Sequence, residues 1–391
     1  MRILIIGGDG YLGWPTAMHF AQRGHEVAVL DNMVKRRWEA ELGVAPLWPI
    51  ATLTERAQAL RETTDREVEV FVGDVADKSV IRGVLSRFLP EAIVHYGEQP
   101  SAPFSMIDVE HAILSQQNNV LGTLQLAFAM RDIVPDAHLI KLGTMGEYGT
   151  PNIDIEEGYL DIEHNGRRDR LPFPKSPGSF YHLSKVHDSH NLMFAARIWN
   201  LRVTDLNQGV VYGTDTDETA LDQRLATSFH YDEYFGTVIN RFVAQAVAGM
   251  PLTVYGTGGQ KRGYLNIRDT LQCVEIAATN PAAHGEFRVF NQFTEQFTID
   301  ELADLVVAAA AQQGMKAQKR SIANPRVELE RHHYNPRNSG LLALGLKPHR
   351  LTVDVLGGMV AWAARHPERI DRDVIIPTVQ WRKQPEGVRE G

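Results

Sequence analysis

The sequence predicts an α/β protein: a Rossmann-type doubly wound parallel sheet carrying a smaller mixed C-terminal lobe for substrate. Three observations predict it. Short apolar runs alternate with helical patterns through the first half of the chain, glycines at 7, 10 and 13 follow the first run, and an acid, Asp31, ends the second. Alternation of this kind belongs to parallel sheets with helices on both faces.

The strands are expected at Ile3 to Ile6, Val27 to Leu30, Val68 to Val72, Ala92 to His95, His138 to Leu142 and Val203 to Leu206. Between them run helices at Leu12 to Arg23, about Leu53 to Glu62, Lys78 to Phe88, Val109 to Arg131 and Tyr181 to Trp199. Each helix has an apolar face to lay on the sheet. Two stretches hold neither period, Asn32 to about Thr52 and Tyr148 to Phe180, and are expected as long loops. Loops of that length in a compact domain are usually functional. Beyond Asp215 the alternation breaks into helices (Gly236 to Ala248, Ile267 to Thr279, Ile299 to Gln312) and short strands (Leu252 to Tyr255, Phe287 to Asn291). The expected division is a cofactor domain over 1–214 and a substrate lobe over 215–391, with the chain free to cross back.

Composition narrows the function class. Apolar residues make up 43% of 391, enough for a substantial core, and the formal net charge is -8. With no Lys/Arg-rich run, a nucleic-acid partner is not expected, because phosphate binding needs clustered positive charge. The single cysteine, Cys273, excludes an internal disulfide and a multi-cysteine metal site, so no metal is expected. No apolar run reaches the roughly 20 residues of a membrane span. Residues 2–6 already read as a buried strand, so no targeting peptide is expected and the expected setting is cytoplasmic.

Gly7, Gly10 and Gly13 form a G-x-x-G-x-x-G turn inside a strand-turn-helix unit. Such a turn brings the backbone and a helix N-terminus against a pyrophosphate. Asp31 is placed to accept from the adenosine ribose hydroxyls and to repel a 2'-phosphate, which favours NAD over NADP. The candidate cofactor set adds Asp9, Tyr11 and Leu12 in the turn and Asn32 and Arg36 after the second strand. Asp74 and Val75 after the third strand, Tyr96 and Gly97 after the fourth, Asn119 and Gln208 complete it. An ordinary tight turn and a solvated Arg36-Arg37 pair are the plain alternatives.

Tyr181 and Lys185 lie at i and i+4 at the start of a helix and share one face. A phenol near pKa 10 is a poor base at neutral pH; lowering it by about three units takes roughly 4 kcal/mol, within reach of a close ammonium and a positive nicotinamide ring. The strand ending at Leu142 delivers Thr144 to the carboxyl edge of the sheet, where open sheets bind ligands.

With these residues assembled, the chain resembles the extended short-chain dehydrogenase/reductases that act on nucleotide sugars, the NAD-dependent epimerase/dehydratase family. Longer segments are more specific: Gly7 to Trp14, Gly97 to Gln99, Thr144 to Gly158, Tyr181 to His190, Leu206 to Gly213, Phe290 to Phe297 and Asn324 to Glu328. They resemble the branch of that family that makes the sulfonated nucleotide sugar of sulfolipids. The resemblance implies UDP-glucose as substrate, sulfite or a sulfite-delivering donor protein as partner, NAD retained through each cycle, and a homodimer on the Val109 to Arg131 and Tyr181 to Trp199 helices.

It further implies Tyr181 as the acceptor of the C4 hydroxyl proton. Arg262 and Arg326 become diphosphate clamps, Asn207 a diphosphate or sugar ligand, and Thr253 and Tyr255 the uracil contacts. A 4,6-dehydratase usually carries Asp-Glu directly after the threonine, whereas Met145 and Gly146 stand here. Glu147 and His182 are then the candidates for proton transfer at C5 and C6. Pro100 and Leu12 stand where plant members carry Arg and Cys, and Asn266 is a smaller departure. A UDP-hexose 4-epimerase or dehydratase stays open as the competing enzyme, and a non-catalytic NAD-binding regulator as the reading from another class.

Overall fold

The computed structural model describes residues 1–382. The strands are β1 (Arg2–Ile6), β2 (Glu26–Asp31), β3 (Val68–Val72), β4 (Ala92–His95), β5 (His138–Thr144), β6 (Tyr159–His164), β7 (Arg167–Pro172), β8 (Arg202–Gln208), β9 (Val210–Tyr212), β10 (Leu252–Tyr255), β11 (Lys261–Asn266), β12 (Phe287–Gln292), β13 (Glu295–Thr298) and β14 (Lys319–Ile322). The helices are α1 (Gly13–Gln22), α2 (Val34–Glu41), α3 (Leu53–Thr64), α4 (Lys78–Phe88), α5 (Val109–Gln116), α6 (Gly122–Ile133), α7 (Phe180–Trp199), α8 (Val238–Val247), α9 (Ile267–Thr279), α10 (Ile299–Gln312), α11 (Ser339–Ala343) and α12 (Val353–Ala363).

Seven parallel strands form the central sheet in the order β12-β8-β5-β4-β1-β2-β3. The order reverses between β1 and β4, which opens the crevice where doubly wound sheets bind dinucleotides. Ile3, Leu4 and Ile5 of β1 and Ile93 of β4 are fully buried because helices cover both faces. On one face Ile3, Trp14, Phe20 and Val29 pack with Cys273 and Val274 of α9. On the other Leu4, Ile81, Leu126 and Leu192 join from β1, α4, α6 and α7.

The strands expected between Ile3 and Leu206 all form, within two residues of the expected ends. Three differences have physical reasons. The stretch expected as loop after β2 contains α2, whose sequence VKRRWEAE buries only Trp38 and so shows no apolar period. The stretch expected as loop after Tyr148 contains the antiparallel β6–β7 hairpin, turning at Asn165 (φ 50°) and Gly166 (φ 73°). The left-handed pair is the tight hairpin turn that Asn-Gly favours. Phe287 to Asn291, expected beyond the sheet, is β12, which pairs with β8 along the sheet edge.

The remaining elements build the second layer over the carboxyl edge. β9, β11 and β13 form a three-stranded sheet, β10 pairs with β14, and α8, α10 and α12 pack around Phe242, Val306 and Leu356. The long helix expected from Val109 is one rod with a π-turn at Gln117–Leu121 between α5 and α6. Among the described residues no helix is long and apolar enough to cross a membrane.

Candidate active site

A cavity of about 990 Å³ runs along the carboxyl edge of the sheet from the glycine turn to the second layer. Its first wall is backbone. Gly7 has φ +88°, and a Cβ there would lie 2.6 Å from the Tyr96 carbonyl carbon; one on Gly13 would lie 1.9 Å from the Gly7 oxygen. Only glycines leave this cradle open, which is what a dinucleotide pyrophosphate requires. Asp31 ends β2 at its rim, accepting from the N–H groups of Asp9 (2.8 Å) and Met33 (2.6 Å). Burial pushes its carboxyl up while those two bonds pull it down.

Of the expected cofactor residues, Gly7, Asp9, Gly10, Tyr11, Leu12, Gly13, Asp31, Asn32, Arg36, Val75, Tyr96, Gly97 and Gln208 line the cavity. Arg36 is bidentate to Asp9 (2.7 and 2.9 Å) and donates to the Ile50 and Ala51 carbonyls, so its guanidinium is spent on the protein. Asp74 lies behind the wall, accepting from Asn32 Nδ2 at 2.9 Å. Asn119, at the π-turn, is fully buried and binds the Gln99 backbone (2.7 and 3.2 Å) and Ser184 Oγ (2.8 Å). It shapes the cavity by tying the chain after β4 to α7.

Thr144, Tyr181 and His182 line the middle of the cavity. β5 carries Thr144 to the sheet edge, where its hydroxyl accepts from Gly146 N at 3.1 Å. Ser179 caps α7, and one turn of that helix sets Tyr181 and His182 side by side. Burial pushes the Tyr181 phenol up, and Glu98 and Glu147 add to the effect. Burial lowers His182 to about 3, with Arg326 and Arg262 contributing. Its Nδ1 meets Ser179 Oγ at 3.0 Å.

Lys185 stands behind this wall. Its Nζ donates to the Leu142 carbonyl at 2.6 Å and pairs with the Glu98 carboxylate. Glu147 also faces inward. It accepts from Lys141 (3.4 Å), Lys175, Ser189 (3.0 Å) and the Thr144 N–H (3.2 Å). Burial opposes its charge, yet the two lysines hold it down at about 2. A carboxylate so committed does not meet a sugar in the cavity. Met145 is likewise packed away, against Tyr148, Ile155, Phe173 and Phe293.

At the far end Arg262, Arg326 and Tyr255 line the cavity as expected, joined by Arg241, Gln260 and Tyr264. Arg262 is held by Glu328 and the Lys261 carbonyl (2.9 Å). Arg241 lies under the Tyr255 ring, 4.2 Å from its centroid, and donates to its hydroxyl at 2.8 Å. Asn207 and Thr253 are not in the wall. Asn207 is buried and donates to the Tyr148 hydroxyl at 2.8 Å, and the Thr253 carbonyl and hydroxyl are taken by Arg241 and Gln245.

Sequence reasoning missed Arg241, Arg56 and the partner of Lys185. Arg241 left a signal, being the lone cation between the buried Ile239, Phe242 and Val243 of α8. Arg56 is fully buried, bonded to Asp9 and the Ala226 carbonyl, and lowered to about 10 by burial. Nothing in the apolar pattern of α3 marks it.

The family model of the NAD dependent epimerase/dehydratase family matches residues 3–291. UDP-sulfoquinovose synthase of Spinacia oleracea, described as chloroplastic, is 51% identical over 98% of this chain and 79% of its own. That of Sulfolobus acidocaldarius is 40% identical over 98% of both chains. Among solved structures, UDP-glucose 4-epimerase of Thermotoga maritima with UDP-glucose has a TM-score of 0.71 at 18% identity, covering 93% of this chain and 99% of its own. UDP-glucose 4-epimerase of Thermus thermophilus in complex with NAD has 0.65 at 24%, with the same coverage. The chain belongs to the NAD dependent epimerase/dehydratase family and, within it, groups with the UDP-sulfoquinovose synthases.

Proposed function

We propose that this chain converts UDP-glucose and a sulfite-level donor into UDP-sulfoquinovose and water, with NAD kept in the site throughout. The observation that carries this reading beyond the family is the wall around Thr144. The turn after it offers no carboxylate to the cavity, because Met145 packs into the core and Glu147 faces Lys141 and Lys175. His182 is the titratable group set beside Tyr181 on α7, while Glu98, also in the lining, is paired with Lys185.

NAD, when bound, supplies hydride transfer at C4 in both directions. Gly7, Gly10 and Gly13 would hold its pyrophosphate and Asp31 its adenosine ribose. Tyr181 accepts the C4 hydroxyl proton on oxidation and returns it on reduction, with Thr144 sharing the hydrogen bond. The C4 ketone acidifies the C5 proton, and His182 moves protons between C5 and the departing C6 hydroxyl. Sulfite then adds at C6. A diphosphate between Arg262 and Arg326 screens the two cations that help hold His182 neutral, so substrate binding raises its basicity.

The assembled enzyme is proposed as a homodimer on α5, α6 and α7, where Val109, Ile113, Leu121, Phe128, Phe194 and Ile198 leave an apolar face exposed. Buried Cys273 as the single thiol fits a reducing, cytoplasm-like setting.

The test is solvent deuterium. With UDP-glucose and no sulfite, the wild-type protein should wash deuterium into C5, and His182→Asn should slow this about 100-fold while NAD stays bound. UDP-galactose formed without label at C5 would identify an epimerase instead.

A further inference from the structure

Behind Tyr181 lies a group of ionisable side chains that the chemistry above does not use. Lys141, Lys175 and Lys185 face Glu98, Glu147, Asp188 and Asp205, and each of these side chains is at most 8% exposed. His95 sits beside them, its Nε2 3.8 Å from Glu98 and 3.3 Å from Thr123 Oγ. Burial lowers that imidazole to about 4, so it is neutral at physiological pH. Three ammoniums then face four carboxyl groups. Isolated net charge in such a place is expensive, so one carboxyl keeps its proton.

The partners identify it. Glu147 has Lys141, Lys175, Ser189 and a backbone N–H; Asp205 has Ser189 at 2.8 Å and Lys141 at 3.4 Å; Glu98 has Lys185. Asp188, beside Glu98, is the one of the four with no lysine at ion-pair distance among the described residues, and neither of its oxygens, like those of Glu98, has a hydrogen-bond partner there. Two carboxyl groups in contact share one proton when neither can be solvated.

We propose that Asp188 carries this proton and donates it to Glu98, which stays anionic and clamps the Lys185 ammonium behind the cavity wall, making Glu98 a positioning residue that opposes ionisation of the Tyr181 phenol with NAD in place. Burial and Glu98 both raise Asp188, while Lys185 lowers Glu98 against its own burial. The groups that face this assembly are His95 at the end of β4 and Glu98 after it, Lys141 on β5, Glu147 in the following turn, Lys175 before α7, Tyr181, Lys185, Asp188 and His190 on α7, and Asp205 on β8. Glu98 opposes the phenolate, so removing its charge should lower the pH at which Tyr181 ionises.

The proposal rests on Tyr181 as the proton acceptor but not on the sugar chemistry, and its test uses neither sugar nor sulfite. The NAD-loaded protein is labelled at tyrosine Cζ, Tyr181 is assigned by its loss in Tyr181→Phe, and the resonance is titrated. Glu98→Gln should move the midpoint down by at least about one pH unit. Asp188→Asn, whose amide still donates to Glu98, should move it less than about a third as far. An unmoved or raised midpoint in Glu98→Gln, or an equal shift in Asp188→Asn, overturns the proposal. Infrared spectra give a reading that needs no folded Glu98 variant: a protonated-carboxyl band at neutral pH that Asp188→Asn removes supports it. A wild-type spectrum without that band, or a band that survives, overturns it.

Discussion

Tyr181 and Lys185 were legible as a pair from their spacing, but the wiring behind them was not. A helix period tells which residues share a face; it says nothing of a carboxylate such as Glu98 arriving from β4 on the other side. The same limit applies to Glu147, a candidate for proton transfer at C5 and C6 because Met145 and Gly146 stand where a dehydratase carries Asp-Glu, yet turned inward by the capping geometry that bonds it to the Thr144 N–H. Asn207 and Thr253 miss the cavity for separate reasons: alternation along β8 turns Asn207 to the face opposite Gln208, and half-buried Thr253 is taken up by Gln245 and Arg241, neither of which a lone motif match shows. At this scale the account predicts that Tyr181→Phe cuts the reduction of bound NAD by UDP-glucose at least about 1,000-fold. NAD content, measured after denaturation, should be unchanged. Reduction at near wild-type rate would remove Tyr181 from its role.

The elements were the most readable level, since β1 to β5 and α1, α3 and α4 announce themselves by apolar period and caps. What stayed hidden was hidden by charge. β7 reads Arg-Arg-Asp-Arg-Leu-Pro and has no alternation to detect, although Asn165-Gly166 marks its turn. That segment bears on the site through Lys175, which ties the end of the hairpin region to Glu147 and so to the base of α7. Glu147→Gln leaves Lys141 and Lys175 without their shared carboxylate and should cost about 3 kcal/mol at neutral pH. The sign of its pH dependence follows from the folded value of about 2 against 4.5 ordinarily. The contribution is present above pH about 4.5 and is lost as pH falls toward 2. Urea unfolding should therefore show a gap between variant and wild type at pH about 7 that narrows at pH about 3. Equal stability at neutral pH would contradict the tie.

For the molecule as a whole, the fold class followed from alternation and the glycine turn, but the layout of the second layer did not. Sequence order cannot reveal that β12 returns to the edge of the central sheet beside β8, or that α9 packs against α1, because both depend on partners far along the chain. The consequence is functional. β8 carries Gln208 to the cavity between β5 and β12, and the second layer brings Arg241, Arg262 and Arg326 to the same space as the glycine cradle. One cavity thus spans a dinucleotide site and a cationic wall, with Thr144, Tyr181 and His182 between them. In that cavity a redox step at C4 of the sugar would open C6 to sulfur. The direct measurement is the product that purified protein makes from UDP-glucose with and without sulfite, read by mass spectrometry. The account predicts a sulfonated UDP-hexose that appears only with sulfite, with no net change in bound NAD; UDP-galactose or a 4-keto-6-deoxy sugar formed regardless of sulfite would contradict it.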